Sequence, residues 1–527
     1  MKKSINWLFA LASGILLFAS WPVSPFTLLI FVAWIPLLWL ETIVKSRRRF
    51  FALTYLTTFS WNVATTWWVW NASPPGAAAA FFANSLLMCL PWLGFKLAKK
   101  WLGEKAGYIS LIAFWLCFEY IHLQDWGLSW PWLTLGNVFA SHPQWVQWYE
   151  YTGTSGGSLW VMIVNVLLFL HIKNNIQRTE SKSYKNLIAG ILVLIIPVII
   201  SILTPSYKVD SSNTKNVLVV QPNIDPYEKV SVGSIEAQLQ KLIQTSEKGI
   251  DENTALIIWP ETAVYVDGGV EETKMKQNFF LNPLWNFLRR HPNITLFTGV
   301  ESYREYDTKL TTSAKPLGNS HFYDGYNGSV LLDSTGAHAF YHKSKLVPGV
   351  ETLPWFLKFM DSWFEKFGGT AAGYSTQEER TVLNDTRHGY KIAPAICFES
   401  IYGEFMSQYA NEGANIICTI TNDGWWLNTP GHKQHMNYAR LRAIETREWV
   451  ARSANTGISC FIDPNGTVID AQPYNTTAAI KLNVPVSDKH VKTFYVQYGD
   501  LISKGMTIAA IVFIILTLIK WLKRKSA

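Results

Sequence analysis

The sequence predicts a multi-pass α-helical membrane domain joined to an α/β domain that lies outside the cytoplasm. Apolar segments of membrane-spanning length fill residues 1–204 and return near the carboxyl terminus. Between them, short apolar runs alternate with helical stretches. Hydrophobic residues make up 49% of the chain and charged residues only 16%, which is unusual for a purely soluble enzyme. A chain of 527 residues is also too long for one ordinary core, so we expect at least two domains.

Eight apolar segments are each near the roughly 17–25 residues that a helix needs to cross a bilayer. They fall near residues 5–21, 25–42, 51–71, 78–97, 106–123, 157–172, 186–204 and 503–522. The first resembles a signal peptide, because Lys2 and Lys3 precede it. No convincing cleavage site follows, so we interpret it as an uncleaved span. Many of the 25 tryptophans adjoin these segments, a pattern typical of rings at the lipid–water interface.

The basic residues indicate which side of the membrane each loop occupies. They cluster at 2–3, 45–49, 96–105, 173–185 and 520–525, whereas the loops 71–77 and 124–155 contain no lysine or arginine. With eight spans and a cytoplasmic N-terminus, every basic cluster falls on the cytoplasmic side, as the positive-inside rule requires. We therefore predict three parts: a transmembrane bundle of about seven spans at 1–204, an extracytoplasmic domain at 205–500, and an eighth helix with a basic cytoplasmic tail at 501–527.

Neither nucleic-acid binding nor a metal site is predicted. The net charge of +8 is explained by the clusters that flank the apolar segments. The five cysteines, Cys89, Cys117, Cys397, Cys418 and Cys460, show no metal-ligand spacing and cannot all pair, so at least one thiol is free. His432 and His435 lie three residues apart without a nearby third ligand, and we interpret both as ordinary polar residues.

The external block has the pattern of one α/β domain. Short apolar runs at 217–220, 255–259, 294–300, 328–332, 391–396, 416–420 and 458–462 are separated by glycine, proline, asparagine and aspartate. Helical stretches such as 234–248 and 402–412 lie between several of them. Strands that alternate with helices over nearly 300 residues predict a single α/β unit.

Three segments contain chemically distinctive residues: Glu261 stands just past a predicted strand, Lys343 opens the segment that runs to Glu351, and Cys397 stands between a predicted strand and a predicted helix. Glu261 lies in Trp-Pro-Glu-Thr-Ala, Lys343 in Tyr-His-Lys, and Cys397 in Pro-Ala-Ile-Cys-Phe-Glu-Ser. Open α/β sheets present their chemistry at strand ends. An acid, an amine and a thiol suit acyl transfer, because they can act as base, oxyanion stabiliser and covalent nucleophile. We expect a helix N-terminus and a nearby lysine to lower the pKa of the thiol.

In order, spacing and local context these residues resemble the Glu–Lys–Cys triad of the nitrilase superfamily. Other matching segments are Gln221-Pro222-Asn223-Ile224, Thr421-Asn422-Asp423-Gly424-Trp425-Trp426, Arg442-Ala443-Ile444-Glu445, Arg452 and Asn455-Thr456-Gly457. Within that superfamily the chain resembles the apolipoprotein N-acyltransferase family over nearly its whole length. The family layout has eight spans with the catalytic domain between the seventh and the eighth. The loop Trp130-Pro131-Trp132-Leu133-Thr134-Leu135-Gly136 also looks like the membrane part of that family.

The resemblance implies an αββα sandwich and a reaction. Glu261 acts as general base toward Cys397, whose thiolate takes an acyl chain from a phospholipid as a thioester, and Lys343 stabilises the oxyanion. The α-amine of a diacylglyceryl-cysteine on an apolipoprotein then receives the acyl group, with no ATP, metal or other cofactor. The implied partners are the phospholipid donor, diacylglyceryl apolipoproteins and the bilayer of the bacterial inner membrane, with the catalytic domain on the periplasmic side. Glu351 and Glu399 match supporting carboxylates.

Two departures from the family pattern concern the surroundings of the triad. This chain has Gly349-Val350 where the family usually has Phe-Gly, and Phe398 where tyrosine is common. We expect any effect to fall on lid shape or acyl-chain preference. From 353 to 367 aromatic residues recur with helical period, which predicts an amphipathic helix at the membrane surface or, nearly as well, packing against the core. Trp355 and Phe356 of that helix, with Trp425 and Trp426, are the predicted substrate contacts.

Two other functional classes compete with this interpretation. A membrane-anchored nitrilase-type amidase would use the same triad on a soluble amide, although eight spans exceed what an anchor needs. A transporter or scaffold with a degenerate enzyme domain is disfavoured, because the triad is intact and the spans contain few intramembrane charges. Taken singly, Glu261 could instead cap a helix and Lys343 could be a solvated lysine.

Overall fold

The computed structural model describes residues 5–177, 184–208, 213–227, 235–311, 313–318, 321–352, 373–486 and 492–525. The chain divides into two compact units. The first comprises Met1–Trp70, Pro74–Pro205 and Tyr498–Ala527, and the second comprises Asn71–Ser73 and Ser206–Gln497.

The first unit consists of helices. Its longer helices are α1 (Asn6–Ser20), α2 (Ile35–Ile43), α3 (Arg47–Thr66), α4 (Cys89–Leu102), α5 (Glu104–His122), α6 (Tyr149–Gln177), α7 (Lys185–Leu203) and a C-terminal helix (Leu501–Lys525). Shorter helical segments occur at Val69–Ala72, Pro74–Ala78, Ala79–Ala83 and Asn84–Leu87. Within the described residues four helical stretches are long and apolar enough to cross a membrane: Pro74–Leu102, Tyr149–Gln177, Lys185–Leu203 and Leu501–Arg524. The count of eight spans stays a prediction.

Tryptophan fills the interior of this unit. The ring of Trp34 lies 5.8 Å from Trp61, 5.2 Å from Trp92 and 4.9 Å from Trp115, and all four side chains are fully buried. The interpretation of the tryptophans as interfacial rings is therefore wrong for this group. Each indole is large and polarisable, so a cluster of them fills the space between helices and gains stabilisation from edge-to-face contacts.

The second unit is built on two sheets. Its strands are β1 (Thr214–Gln221), β2 (Thr254–Ile258), β3 (Val270–Glu271), β4 (Thr295–Tyr306), β5 (Lys315–Leu317), β6 (His321–Asp333), β7 (Gly336–His342), β8 (Leu383–Asp385), β9 (Tyr390–Ile396), β10 (Ile416–Thr421), β11 (Trp449–Ala454), β12 (Cys460–Ile462), β13 (Val468–Ile469) and β14 (Ala478–Pro485). One sheet has the order β14-β1-β2-β4-β6-β5, with β3 on β4 and β7 on β6. The other has the order β13-β12-β11-β10-β9-β8.

Helices cover the outer faces of both sheets. The helices of this unit are α8 (Ile235–Glu247), α9 (Asn282–Arg290), α10 (Gly403–Asn411), α11 (Pro430–Thr446) and α12 (Phe494–Tyr498). Apolar residues of α8 and α9 share one buried cluster with β1, β2, β4 and β6. Helix α10 packs on β9, and α11 packs on β11 and β12.

The inner faces of the two sheets meet. The Ser453 hydroxyl of β11 donates to the Val220 carbonyl of β1 at 2.7 Å, and the Thr295 hydroxyl of β4 donates to Asp385 of β8 at 3.1 Å. The order of layers is thus helix, sheet, sheet, helix, which confirms the predicted αββα sandwich.

The parallel strands at the centre of each sheet orient the loops that follow them. Strand β2 runs parallel to β1 and β4, and β10 runs parallel to β9 and β11. All five residues of β2 and all six of β10 are buried, which is why these strands read as continuous apolar runs. The carboxyl ends of β2, β9 and β10 lead directly into the candidate site.

Candidate functional site

Each of the three predicted site residues follows a strand of the sandwich. Glu261 lies three residues after β2, Lys343 directly follows β7, and Cys397 directly follows β9. Glu261 and Lys343 are buried and Cys397 is partly buried. Two of these strands, β2 and β7, belong to one sheet and β9 belongs to the other. The site is therefore formed where the two sheets face each other.

Glu261 is held at both carboxylate oxygens. Its Oε1 accepts hydrogen bonds from the Asn327 amide at 2.9 Å and from Lys343 Nζ at 3.2 Å. Its Oε2 accepts from the backbone N–H of Asn422, the residue after β10, at 3.1 Å. These contacts come from both sheets and fix the direction of the carboxylate.

Lys343 lies between two carboxylates. Its Nζ donates to Glu351 Oε1 at 2.8 Å and to Glu261 Oε1 at 3.2 Å, and the residue is 1% exposed. Burial would lower the pKa of Lys343, but the charges of Glu261 and Glu351 outweigh it and raise the pKa well above its ordinary value. The side chain is therefore an ammonium ion.

Asn327 joins the two carboxylates and was not predicted. Its amide nitrogen donates to Glu261 at 2.9 Å and to Glu351 at 2.8 Å, while its backbone carbonyl accepts from the Lys343 N–H at 2.9 Å. Glu351 Oε2 accepts from the Val347 N–H at 2.8 Å. Asn327 thus sets the spacing of the two acids around the ammonium.

Cys397 has an unusual backbone and a weakly acidic thiol. Its φ is 52°, in the left-handed region that non-glycine residues seldom occupy. Burial and the Glu261 carboxylate raise the pKa of the thiol well above its ordinary value, and the Lys343 ammonium opposes that rise. The expected lowering of the thiol pKa by a nearby lysine is confirmed, but burial and Glu261 outweigh it, so the expectation of a net lowering is wrong. Cys397 begins a short 3₁₀ turn (Cys397–Ile401) and not a long helix, so dipole stabilisation is small beside the cost of burial.

Glu399 links the turn at Cys397 to the segment after Lys343. Its Oε1 accepts from the Tyr341 hydroxyl at 2.6 Å and from the Ser344 N–H at 2.7 Å. Its Oε2 accepts from the Ile396 N–H at 2.8 Å. Burial raises the pKa of the Glu399 carboxyl, against the opposing effect of these hydrogen bonds. The residue is fully buried and contacts the backbone of the segment after Lys343 and of the strand before Cys397.

The predicted substrate contacts fall in two places. Trp425 is 40% exposed and lies in the turn Asp423–Trp426 that follows Asn422. The Tyr227 ring contacts the Trp425 ring edge-on at 5.2 Å, and its hydroxyl donates to the Trp425 carbonyl at 2.8 Å. Trp426 lies beside it, with its ring 5.5 Å from His435. The predicted amphipathic helix at 353–367, with Trp355 and Phe356, lies outside the described residues.

The residues that depart from the family pattern make contacts within their own turns. Phe398 is buried and packs edge-on against Tyr402 at 5.4 Å. Gly349 has φ 78°, and its N–H donates to the Thr352 carbonyl at 2.9 Å in the turn that leads to Glu351. Within the described ranges no group of three or more His, Cys, Asp and Glu side chains is arranged to hold a metal ion.

Comparison with known proteins reveals similarity over both units. A family model described as carbon-nitrogen hydrolase matches residues 217–487, and one described as the apolipoprotein N-acyltransferase N-terminal domain matches residues 13–167. An apolipoprotein N-acyltransferase of Chlorobaculum tepidum is 30% identical over 93% of this chain and 92% of its own length. Apolipoprotein N-acyltransferase 2 of Treponema denticola is 26% identical over 74% of this chain and 73% of its own length.

Among solved structures, the chain shows similarity to a Saccharomyces cerevisiae protein, Nit3, described as a member of branch 10 of the nitrilase superfamily. It is 17% identical, with a TM-score of 0.37, over 55% of this chain and 95% of that chain.

The charges around Cys397 predict opposite effects for two substitutions. Glu261→Gln removes an anion that raises the thiol pKa, so alkylation of Cys397 by iodoacetamide should begin at lower pH than in the unmodified protein. Lys343→Met removes the cation that lowers the thiol pKa, so alkylation should begin at higher pH. The rate is followed against pH by mass spectrometry of the Cys397 peptide, with Cys397→Ala as the control. Shifts in the same direction for both variants would contradict this electrostatic description.

Proposed function

The chain belongs to the apolipoprotein N-acyltransferase family, an acyltransferase family of lipoprotein maturation, and we propose that it works by a ping-pong mechanism through a Cys397 thioester. The donor is a membrane phospholipid. The acceptor is the free α-amine of the diacylglyceryl-cysteine at the N-terminus of an apolipoprotein. The observation that carries the proposal is the arrangement of Glu261, Lys343 and Cys397 at strand ends, with the carboxylate and ammonium buried and hydrogen-bonded to each other.

In the first half-reaction the thiol proton passes from Cys397 to Glu261, and Sγ attacks the ester carbonyl of the phospholipid. The carbonyl oxygen becomes an oxyanion beside the Lys343 ammonium, which stabilises it by charge and hydrogen bonding. The ester C–O bond then breaks. Glu261 returns the proton to the leaving alkoxide, so lysophospholipid departs and the acyl chain remains on Cys397 as a thioester.

In the second half-reaction the α-amine attacks the thioester carbonyl, and Lys343 again faces the oxyanion. Glu261 accepts a proton from the amine, the C–S bond breaks, and the proton moves to the sulfur. The products are an amide on the lipoprotein and the free Cys397 thiol. Atoms and charges balance, and a thioester is reactive enough toward an amine for no further energy source to be required.

The raised pKa of Cys397 explains why a neighbouring base is needed. A thiol with a raised pKa is almost entirely protonated at neutral pH, so it reacts only when a base takes its proton as the bond to carbon forms. The Glu261 carboxylate is directed by three hydrogen bonds and is charge-coupled to the thiol. Glu351 and Asn327 keep the Lys343 ammonium in place between turnovers.

We place the chain in the bacterial inner membrane with the second unit on the periplasmic side. The distribution of lysine and arginine supports this topology, because all five basic clusters fall on one side of eight spans. The site requires both a lipid donor and a lipid-modified acceptor, so it must work beside the bilayer. Trp425 and Trp426 are proposed to contact the donor's acyl chain or glycerol, since Trp425 is an exposed indole next to the Asn422 N–H that binds Glu261.

The thioester is tested by mass spectrometry of the purified full-length chain in phospholipid micelles. We expect an acyl-sized mass increment on the Cys397 peptide, absent from Cys397→Ala and discharged by a diacylglyceryl lipopeptide with formation of N-acyl product. Cys418→Ala is the matched control, because Cys418 is a fully buried thiol within β10, and it should retain the adduct. Free fatty acid without N-acyl product would instead favour a hydrolase. No adduct and no product in competent lipid would contradict the mechanism.

The position of Glu261 predicts a strong effect of Gly299→Ala. A Cβ at Gly299 of β4 would lie 2.5 Å from the Thr262 nitrogen and 2.7 Å from Glu261 Cα, so the loop must move. A displacement of about 1 Å in a catalytic group costs roughly 100-fold in rate, and we expect acyl transfer to fall by that order.

The matched control for this substitution is Gly325→Ala on the neighbouring strand β6. An added Cβ there meets no atom within 4 Å, so acyl transfer should remain near the wild-type rate. Equal rates for Gly299→Ala and the wild type would show that the position of the Glu261 loop does not limit the reaction.

The exposed indole of Trp425 predicts a defect in substrate binding. Trp425→Ala should raise KM for phospholipid about tenfold, equivalent to ~1.4 kcal/mol, with a small change in kcat. Trp425→Phe should retain most of the affinity, because an aromatic face remains. Phe279→Ala serves as the control for loss of an exposed aromatic ring, since Phe279 is 78% exposed and lies outside the site. An effect on kcat alone would argue against a substrate contact.

A further inference from the structure

A buried polar network lies behind the turn that contains Cys397. Asp423, His435 and Arg452 are fully buried and Ser400 is 1% exposed, yet none of these four residues has a role in the reaction described above. Buried charges and hydrogen-bonding groups are costly unless they are paired, so a network of this size has a structural or functional cause.

The network begins with an ion pair. Asp423 Oδ2 accepts from Arg452 Nη2 at 2.7 Å, and Asp423 Oδ1 accepts from the Thr421 hydroxyl at 2.8 Å and lies 2.9 Å from His435 Nδ1. Burial would raise the pKa of Asp423, but Arg452 and His435 outweigh it and lower the pKa well below its ordinary value. Asp423 is therefore an anion that orients the His435 ring.

The opposite nitrogen of the ring faces the nucleophile turn. His435 Nε2 lies 2.9 Å from Ser400 Oγ and 3.1 Å from the Cys397 carbonyl oxygen. The Ser400 hydroxyl itself donates to the Cys397 carbonyl at 2.8 Å, which uses its only hydrogen. Both atoms next to Nε2 are then acceptors, so Nε2 carries a hydrogen and donates.

The other nitrogen has a partner in either state. Nδ1 lies 2.9 Å from the Asp423 carboxylate, which can accept, and 3.0 Å from Arg452 Nη2, which can donate. Nε2 is therefore a hydrogen-bond donor whether or not Nδ1 also carries a hydrogen.

The Cys397 carbonyl is thus held by two side-chain donors, and Cys397 is the residue with φ 52°. A left-handed conformation at a non-glycine residue persists only where surrounding contacts determine it. We propose that His435 is a positioning residue for acyl transfer: with Ser400 it fixes the Cys397 peptide and so directs Sγ between Glu261 and Lys343. This inference rests on the proposed function of Cys397 as nucleophile.

The test compares His435→Leu with His435→Gln in the full-length protein in phospholipid micelles. Leucine has no donor, whereas the glutamine amide can place an N–H near the position of Nε2. We expect His435→Leu to slow acylation of Cys397 about 100-fold, the order expected for a ~1 Å displacement, with KM for the donor within about twofold. His435→Gln should acylate Cys397 at least about tenfold faster than His435→Leu does.

The control is His432→Leu, one turn earlier on α11. His432 is also buried, but its contacts are with Asn428 and the Tyr474 ring and not with the Cys397 turn. It should acylate at a rate close to that of the wild type. Thermal unfolding is measured for every variant. If His435→Leu does not fold, Ser400→Ala removes the other donor to the Cys397 carbonyl and is expected to slow acylation about tenfold.

A second measurement separates this inference from the mechanism on which it rests. Alkylation of Cys397 by iodoacetamide needs no lipid, and its pH dependence reports the charges around Sγ, which include those of Glu261, Lys343 and Asp423. We expect the pH midpoint to shift in His435→Leu and to return toward the wild-type value in His435→Gln. A wild-type chain without an acyl adduct would overturn the proposed mechanism. A midpoint that shifts in His435→Leu and returns in His435→Gln would still support positioning by His435, whereas a shift that His435→Gln does not reverse would be assigned to the altered surroundings of Asp423 and would count against it.

Three results would overturn the role of His435. The first is a His435→Leu variant with wild-type acylation rate and alkylation midpoint. The second is an equal defect in His432→Leu, which would show a general effect of the helix. The third is a folded His435→Gln variant that is as impaired as His435→Leu.

Discussion

The site depends on one buried cation. Lys343 is 1% exposed, and transferring an ammonium ion from water to a protein interior costs several kcal/mol even after relaxation. Glu351 at 2.8 Å and Glu261 at 3.2 Å offset that cost, and Asn327 holds both acids. Loss of one partner in such a group leaves an unpaired buried charge, which typically costs about 3–5 kcal/mol. The sandwich must therefore hold these residues together whether or not substrate is bound.

The same charges determine the protonation state of the Cys397 thiol. Lys343 favours the thiolate of Cys397, while burial and Glu261 disfavour it more strongly, so the resting thiol is protonated. A protonated thiol is a poor nucleophile and resists oxidation, because the thiolate is the reactive species. In the proposed mechanism, reactivity then arises only when a substrate carbonyl is in place and the proton moves to Glu261. The two acids hold the Lys343 ammonium in place, so in the proposed mechanism it needs little reorganisation to stabilise an oxyanion.

The sequence predicted those parts of the fold that produce continuous apolar runs. The runs at 217–220, 391–396 and 416–420 lie within β1, β9 and β10, and the predicted helices 234–248 and 402–412 are α8 and α10. Glu261 and Cys397 were predicted because each follows such a run, whereas Lys343 was predicted from its motif and its spacing to the other two. Strand β7 was not predicted in this way. Only its last two residues are buried, so its sequence shows no continuous apolar run.

Residues whose partners are distant in sequence could not be found in this way. Asn327 lies within β6 and contacts Glu261 across 66 positions of sequence, so no local pattern distinguishes it. His435 lies on α11, where buried residues occur on every side of the helix, and the sequence interpretation of an ordinary polar residue missed its contact with the Cys397 turn. The thiol pKa was predicted in the wrong direction because the motif indicates the nearby lysine but not the depth of burial. Spacing along the chain gives the identity of catalytic groups, whereas their electrostatic environment depends on the tertiary structure.

The backbone around the site is strained at three residues other than glycine. Thr262, Cys397 and Leu427 all have positive φ, at 48°, 52° and 58°. Thr262 follows Glu261, Cys397 is the proposed nucleophile, and Leu427 follows the Trp425–Trp426 turn. Each such conformation costs of order 1–3 kcal/mol in a non-glycine residue. The Cys397 carbonyl accepts from Ser400 of the same turn and lies within hydrogen-bond distance of His435 on α11, and the Glu261 carboxylate accepts from the Asn422 N–H. Apolar packing of the two sheets stabilises the unit as a whole. The free energy of that packing offsets the cost of the strained turns beside Glu261 and Cys397. In a site assembled from three loops of two sheets, the hydrogen bonds among these buried groups therefore hold the candidate side chains in place.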